Sequence, residues 1–520
     1  MESTIPNQTR KLNQMKIAIF NTYDKTGGAA KAAHRLYSGL ILLKQSVHYF
    51  VKMKTDLSDD NIEELSTFKK PMLFIDRLIQ KYYITQNRTP ISNTVFSITY
   101  AGVDIPSSKA LKDADIINLH WVEKYLSLKS IQQLVDLGKP IVWTLHDEKA
   151  FTGGCHYTTG CESFKSDCSE CIQLEKDPYH LAQKTLAAKY ALLKDANISV
   201  ITPSRWLAKQ AQESMLFKNK EVVAIPNGID TDIYVPLNKL ECKKALNIDP
   251  GSLVLQFGAQ DNRELRKGFH YLIEAIEFCL KNNAFKQMCN ENKIIILCVG
   301  EPSKEIEALP IQTKSVGYID NDADMVKLYS ATDIFILPSL EDNLPNTMIE
   351  SLACKTPVIG FNTGGIPEVV NESNGRIVEY KNALKLSEAI LELTFDDALR
   401  EKLANSGHKL VNEKYTLSDQ AKNYLAFFET LTKKKTTPQK KNSVDFDMIF
   451  DDLAGYAVRK ETQHNHSFLA DEAHPGASVH SNVELFNAID NMAQIKLTRH
   501  PLKKIKAYKK MLTAYYNRSR

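Results

Sequence analysis

No apolar stretch in these 520 residues approaches the roughly 20 residues that cross a bilayer. The opening MESTIPNQTRKLNQMK is polar throughout and lacks the apolar centre of a signal peptide. A cytoplasmic location is therefore expected. Strong charge of either sign is also missing: the formal net charge of +4 is too small to make nucleic acid an expected partner. Cysteine is sparse. Nine thiols without a secretory signal point to reduced or metal-bound side chains rather than to a disulfide framework. The apolar and charged fractions, 43% and 25%, are ordinary, which excludes global disorder and leaves a chain long enough for at least two packed domains.

What is present is organised around residues 333–370, DIFILPSLEDNLPNTMIESLACKTPVIGFNTGGIPEVV. Ile334, Phe335, Ile336 and Leu337 fit a strand buried on both faces of a parallel sheet. After a loop, Asn346 is suited to cap a helix carrying Met348, Ile349, Leu352 and Ala353 at helical spacing, and 356–361 fits the next buried strand. In a strand–loop–helix–strand unit the loop lies at the C-terminal edge of the sheet, and the helix N-terminus faces whatever binds there. A ligand phosphate would meet amide donors around 344–347, so Asn343, Leu344, Asn346 and Thr347 are candidate donor-binding positions. Asp342 and Glu350 flank that point, where carboxylates can accept hydrogen bonds from sugar hydroxyls on either side of a diphosphate. The bland alternative is an acidic loop and a solvated helix glutamate.

The run PSLEDNLPNTMIESLACKTPVIGF followed by TGGIPE resembles the signature of family-4 type (group 1) retaining glycosyltransferases. In that family two glutamates with seven residues between them bind the nucleotide-sugar donor, the first near the sugar and the second on the ribose. The resemblance puts Glu350 on the ribose. Aspartate occupies the first position, Asp342, with Glu341 beside it, and which of the two reaches the sugar stays open. The fold implied is α/β of GT-B type, two Rossmann-like doubly wound domains facing a cleft. The reaction implied moves a sugar from a nucleoside diphosphate sugar to an acceptor hydroxyl with retention of configuration. No catalytic metal is expected, and short D-x-D runs such as 230–232 are not demanded by the donor site.

The remaining sequence divides accordingly. Residues 1–14 are expected to be disordered, 15–205 to form an acceptor-side Rossmann-like domain, and 206–416 to form the nucleotide-sugar domain. A helix at 417–432 crosses back to the first domain, as the family implies. In the first domain, 16–21 fits a strand, and Gly27 and Gly28 precede a helix with Ala30, Ala33, Leu36, Tyr37 and Leu40 on one face. An ordinary tight turn explains a lone Gly-Gly equally well; the resemblance makes it a loop facing the donor phosphates or the acceptor. Segments 47–51, 116–119, 141–145, 198–201 and 222–225 fit further strands, whereas 56–106 is poorly patterned. His120 and His146 end two of these strands. A strand-end histidine is more often structural, but the family counterpart of His120 lies beside the transferred sugar.

The second domain opens with strand 253–257 and a helix bearing Phe269, Leu272, Ile273 and Ile276. Strand 294–299, segment 315–319 and a helix at 325–331 lead to the central stretch. Most relatives carry an arginine after the first glycine and a lysine before the helix. Here Ala259 takes the first place and Lys267 matches the second, with Arg263 or Arg266 as substitute cations for the pyrophosphate. Gly364 and Gly365 begin another helix-entry loop on which the diphosphate could rest.

The loop at 153–173 holds Cys155, Cys161, Cys168 and Cys171, with one tight C-x-x-C pair, enough to close a tetrahedral zinc shell. His156 could replace one ligand. Disulfides and free packed thiols are the alternatives. HDEKAFTGGCHYTTGC resembles a subgroup linked to exopolysaccharide assembly, as in colanic-acid enzymes, and any metal here is expected to be structural. A lipid-linked or oligosaccharide acceptor follows from that likeness.

From 433 the composition changes. KKKTTPQKKNSVDFD opens an expected disordered linker, 433–496, whose histidines at irregular spacing are read as solvated. Residues 497–520 contain no acid and set Leu502, Ile505, Tyr508, Leu512 and Tyr515 against lysines. Such a basic amphipathic helix suits an anionic membrane surface, a docking face on the enzyme, or an adaptor. A sugar-nucleotide epimerase and a catalytically silent donor-binding subunit are the rival functions on the same fold.

Overall fold

Two parallel sheets account for the apolar runs. In the first, β1 (Lys16–Tyr23), β2 (Ser46–Met53), β3 (Ile62–Glu64), β4 (Ile116–Leu119), β5 (Ile141–Thr144), β6 (Ile198–Thr202) and β7 (Val222–Ala224) pair in the order β3-β2-β1-β4-β5-β6-β7. In the second, β8 (Leu253–Gly258), β9 (Ile294–Val299), β10 (Gln312–Ser315), β11 (Ile334–Leu337), β12 (Val358–Phe361) and β13 (Gly375–Val378) pair as β10-β9-β8-β11-β12-β13. The structure is a computed structural model and describes residues 14–65, 80–81, 83–92, 94–99, 102–258, 264–300 and 304–434.

The strands are apolar on both sides because helices cover both faces of each sheet. On β1, Ala18 and Phe20 join one core, while Ile17 and Ile19 join the other. On β11, Ile334 and Ile336 point to one layer and Phe335 and Leu337 to its opposite. Both strand orders reverse direction next to the first strand of the domain, between β1 and β4 and between β8 and β11. A doubly wound sheet opens its ligand crevice at that switch point, beyond the C-terminal strand ends. The Gly27–Gly28 turn, His120, Lys267 and the loop after Leu337 all lie there.

Two chain crossings join the domains and bond to each other. Ile229 N donates to Tyr415 O (2.8 Å) and Leu417 N to Ile229 O (3.1 Å). The Leu417–Lys433 helix, capped by the Thr416 side chain, then returns to the first domain. There Ala421, Tyr424, Leu425 and Phe428 pack with Ile17, Ile19, Leu36 and Leu40.

Several local expectations need correcting. β7 pairs in parallel with β6, so the first domain runs past residue 205 to the end of that strand. Within segment 315–319, Ser315 is the last residue of a strand. β10 is polar Gln312–Ser315, an edge strand that needs no apolar face. Asn346 is the first helical residue and Pro345 the cap position of the Asn346–Ala353 helix, because the Asn346 amide bonds elsewhere. β12 starts only at Val358, after Pro357. The expected terminus 1–14 lies outside the described residues except for Gln14. So do the linker and tail, except for Lys433, which ends the last helix, and Lys434.

Candidate active site

The loop after β11 carries the central cluster. Asp342 is buried, and its Oδ2 meets Lys267 Nζ at 2.7 Å and Arg266 Nη1 at 3.2 Å. Burial pushes its pKa up, but Lys267 and Arg266 outweigh that and hold the carboxyl below the usual range. Arg266 is fixed in turn by Glu264, by the Glu341 carbonyl (2.8 Å) and by the Tyr157 ring, 4.0 Å from its guanidinium carbon. Both cations arrive on the short turn before the Phe269–Cys279 helix. Arg263 lies outside the described residues.

Glu341 faces the other way. Its carboxylate accepts from Thr158 Oγ1 (3.3 Å) and Thr159 N (3.1 Å), and it neighbours Glu148, which also accepts from Thr158 N (2.6 Å). Burial, followed by the charge of Glu341, pushes the Glu148 carboxyl well up; burial likewise raises Glu341. Of the two adjacent acids, Asp342 therefore holds the cations and Glu341 joins the domains.

Glu350 is 4% exposed, one turn into the Asn346–Ala353 helix. Its Oε1 pairs with Arg35 Nη2 at 2.7 Å, and its Oε2 accepts from Tyr329 OH at 3.0 Å. Arg35 comes from the other domain, on the Gly28–Leu42 helix, and is 6% exposed. Sequence reasoning missed it. The available signal was its position on a face shared with Ala32, Leu36 and Gly39, all buried. Lys31 Nζ crosses the same cleft to Asp322 (2.9 Å), and Asn346 Nδ2 to the Gly28 carbonyl (2.9 Å). Asn343 gives Nδ2 to the His146 carbonyl (3.2 Å) and accepts from Ser204 Oγ (2.5 Å). Leu344 is buried, and Thr347 sits partly exposed on the first turn.

The glycines divide. Gly27 has φ 91° at the strand-to-helix junction, with nothing near the place of a Cβ, so its backbone stands open to the cleft. Gly364 has φ 58°, and a Cβ would lie 1.8 Å from the Asp342 carbonyl. Gly365 N donates to that same oxygen at 3.2 Å. These two glycines support the Asp342 loop from beneath, so the diphosphate rest expected on Gly365 finds its amide already used.

His120 is 2% exposed with both ring nitrogens engaged, Nε2 on Asn118 Oδ1 (2.9 Å) and Nδ1 on His146 Nε2 (3.0 Å). Asn118 Nδ2 donates to Val142 O and Thr144 Oγ1, so its oxygen accepts from His120 Nε2–H. The network thereby assigns His120 Nδ1 as the acceptor from His146 Nε2–H. Burial, then the neighbouring His146, holds His120 well below the usual imidazole range; burial lowers His146 to about 4. Against the expectation, His146 is the partly exposed ring at the cleft, and His120 stands behind it with no nitrogen left for a sugar. A pocket lined by His120, Trp121, Glu123, His146 and Asp147 lies at the ends of β4 and β5.

The Cys-rich loop reaches the second domain through Tyr157, Thr158 and Thr159. Cys155, Cys161, Cys168 and Cys171 are free thiols lining one small cavity. Among the described residues no group of three or more His, Cys, Asp or Glu is placed to hold a metal ion. His156 spends Nδ1 on Asp147 (2.6 Å) and Nε2 on Ser97 Oγ (2.9 Å), so it is not available as a replacement ligand.

Two doubly wound domains with facing switch points, a returning C-terminal helix and a cationic cluster at the second domain's loop define the GT-B fold. A solved structure of Anabaena HepE in complex with UDP-glucose superposes with a TM-score of 0.55 at 15% identity, covering 80% of this chain and 100% of its own. That likeness is one of fold. Residues 240–410 match the family model described as Glycosyl transferases group 1. The second domain is thus a group 1 glycosyl transferase domain, and the chain is a glycosyltransferase. An Escherichia coli K12 protein named for colanic acid biosynthesis, the glycosyl transferase WcaC, is 26% identical over 427 residues, 77% of this chain and 98% of its own. The Escherichia coli UDP-Gal:alpha-D-GlcNAc-diphosphoundecaprenol alpha-1,3-galactosyltransferase is 26% identical over 200 residues, which are 37% of this chain and 50% of that protein.

The neutral His120–His146 pair makes stability depend on pH. The unfolded imidazole of His146 titrates near 6.5 and the folded one near 4, so the unfolded chain binds more protons between those values. Its contribution is complete above pH 6.5 and is lost as pH falls toward 4, by about 2 kcal/mol at pH 5. Thermal melts at pH 7.5 and 5 should therefore differ less in His146→Gln than in wild type. An equal difference would mean that the pair is not held neutral.

Proposed function

We propose that the chain transfers a hexose-type unit from a nucleoside diphosphate sugar to a hydroxyl of a lipid-linked or polysaccharide intermediate. The transfer retains anomeric configuration and serves cell-surface polysaccharide biosynthesis. The observation that carries this reading is the Asp342–Lys267–Arg266 cluster beside the N-terminus of the Asn346–Ala353 helix. Two fixed cations and a helix N-terminus supply the charge that a leaving diphosphate requires, so no catalytic metal enters the reaction. Asp342, held ionised by those cations, lies on the sugar side. Glu350, further along the helix, takes the ribose. His146 lines the acceptor side, with His120 setting its tautomer. The lipid-linked acceptor is supported by the name of the diphosphoundecaprenol relative, and the polysaccharide role by the colanic acid relative. Among the described residues no helix is long and apolar enough to cross a membrane. Membrane contact in this reading is peripheral, through 497–520, on the cytoplasmic side.

The test is a panel of UDP-, GDP- and ADP-sugars with purified full chain, following nucleoside diphosphate release with and without membrane lipid extract. Release that needs extract, survives EDTA and falls about 100-fold in Lys267→Ala is expected; Glu350→Ala should abolish it. Donor binding without release under every condition would instead favour a silent subunit, and complete loss with EDTA would overturn the metal-free mechanism.

A structural zinc on Cys155, Cys161, Cys168 and Cys171 is a separate part of the proposal. Four thiols are the right type of ligand set, and the four residues line one cavity, but among the described residues no three are placed to close on a metal, so coordination requires the loop to draw them together. Metal analysis should find one zinc per chain and its loss in the Cys168→Ser, Cys171→Ser variant. Zinc-free protein with all four thiols titratable would contradict it.

A further inference from the structure

Arg35 and Glu350 form a buried socket made by both domains, and its hydrogen bonds are incompletely used. Arg35 Nη2 serves Glu350 Oε1 (2.7 Å) and Tyr234 OH (3.1 Å), and the guanidinium carbon lies 5.1 Å from the centre of the Tyr234 ring. Arg35 Nη1 is buried and has no hydrogen-bond partner among the described residues. A buried donor left unpaired loses its hydration without compensation, the more so when charged, and native structures contain few. Glu350 receives one bond at each oxygen, from Arg35 and from Tyr329, which leaves each oxygen able to accept another.

We infer that Arg35 is a specificity-determining residue of the donor site, its Nη1 reserved for a ribose hydroxyl that also donates to Glu350. A hydroxyl is both donor and acceptor, so a vicinal diol is the group that complements an open carboxylate beside an open guanidinium nitrogen. A phosphate could use Nη1 but would be repelled by Glu350. An amine could use Glu350 but not Nη1. The inference rests on the reading that Glu350 meets the ribose of a nucleoside diphosphate sugar; what it adds is that the first domain reads the same sugar. The cross-cleft bond from Asn346 Nδ2 to the Gly28 carbonyl stands at the first residues of the two helices, one turn before Glu350 and two turns before Arg35.

Lysine at position 35 keeps a cation for Glu350 but removes the second nitrogen, whereas Tyr234→Phe removes a neighbour and leaves Nη1 in place. The experiment is calorimetric titration of the full chain with UDP, GDP and ADP, and then with the 2′-deoxy and 3′-deoxy forms of whichever binds. Wild type and Tyr234→Phe should prefer the ribose form by about tenfold or more over at least one deoxy form. Arg35→Lys, with an unchanged melting temperature, should bind the ribose form about tenfold more weakly and discriminate less than threefold. Undiminished discrimination in Arg35→Lys overturns the inference and leaves the donor reading intact. If Arg35→Lys does not fold, wild-type discrimination below threefold against both deoxy forms overturns it. Failure of wild type to bind any of the three nucleotides overturns the donor reading and this inference together.

Discussion

A carboxylate removed from water keeps its charge only where a cation or several donors face it. Two such groups, Asp342 and Glu350, sit at either end of one loop and helix turn, and the cleft is built around satisfying them. Asp342 is answered within its own domain by Lys267 and Arg266. Glu350 is answered from the other domain by Arg35. The Asp342 cluster is therefore a property of one domain, whereas the Glu350 pair exists only when both meet. Breaking a buried pair by removing one partner is far more costly than the pair is worth against an apolar substitute, so such contacts register the domains rather than glue them.

The rest of the architecture delivers these groups to one place. Both sheets reverse their strand order beside their first strand, which opens a crevice in each, and the bonds Arg35–Glu350 and Lys31–Asp322 run from one crevice to the other. The Leu417–Lys433 helix and the bonded crossings at Ile229 and Tyr415–Leu417 tie the second domain's last segment to the first domain's core. The Cys-rich loop adds a further contact, laying Tyr157 on Arg266 and Thr158 and Thr159 on Glu341. An insert of the first domain thus touches the loop that carries the Asp342 cluster.

What could be read from sequence was what the chain encodes locally. Buried parallel strands such as Ile116–Leu119 and Ile294–Val299 were legible because apolarity on both faces leaves a short unbroken run. The polar edge strand Gln312–Ser315 was not, since an edge needs no such run. Asp342 and Glu350 were singled out by a motif whose spacing is set by a strand, a loop and one helical turn, and Lys267 by its place before the Phe269–Cys279 helix; the structure buries both carboxylates and sets Lys267 on Asp342. Arg35 was not singled out, because its partner lies 315 positions away and nothing in a single sequence links them. The two histidines exchanged places for a similar reason: Asn118, two residues before His120, claims its ring from within the sheet and leaves His146 at the front. Four cysteines were legible as a cluster, but the geometry they adopt depends on loop folding that spacing does not specify.

In the proposed function the donor is held across the second domain's loop by Asp342, Lys267 and Glu350. A crystal structure of the full chain with the nucleoside diphosphate it binds tests this most directly. The diphosphate should lie at hydrogen-bonding distance from Lys267 and the N-terminus of the Asn346–Ala353 helix, with the ribose hydroxyls on Glu350. A nucleotide bound elsewhere, with the Asp342 and Glu350 pairs unaltered and their cleft empty, would contradict it.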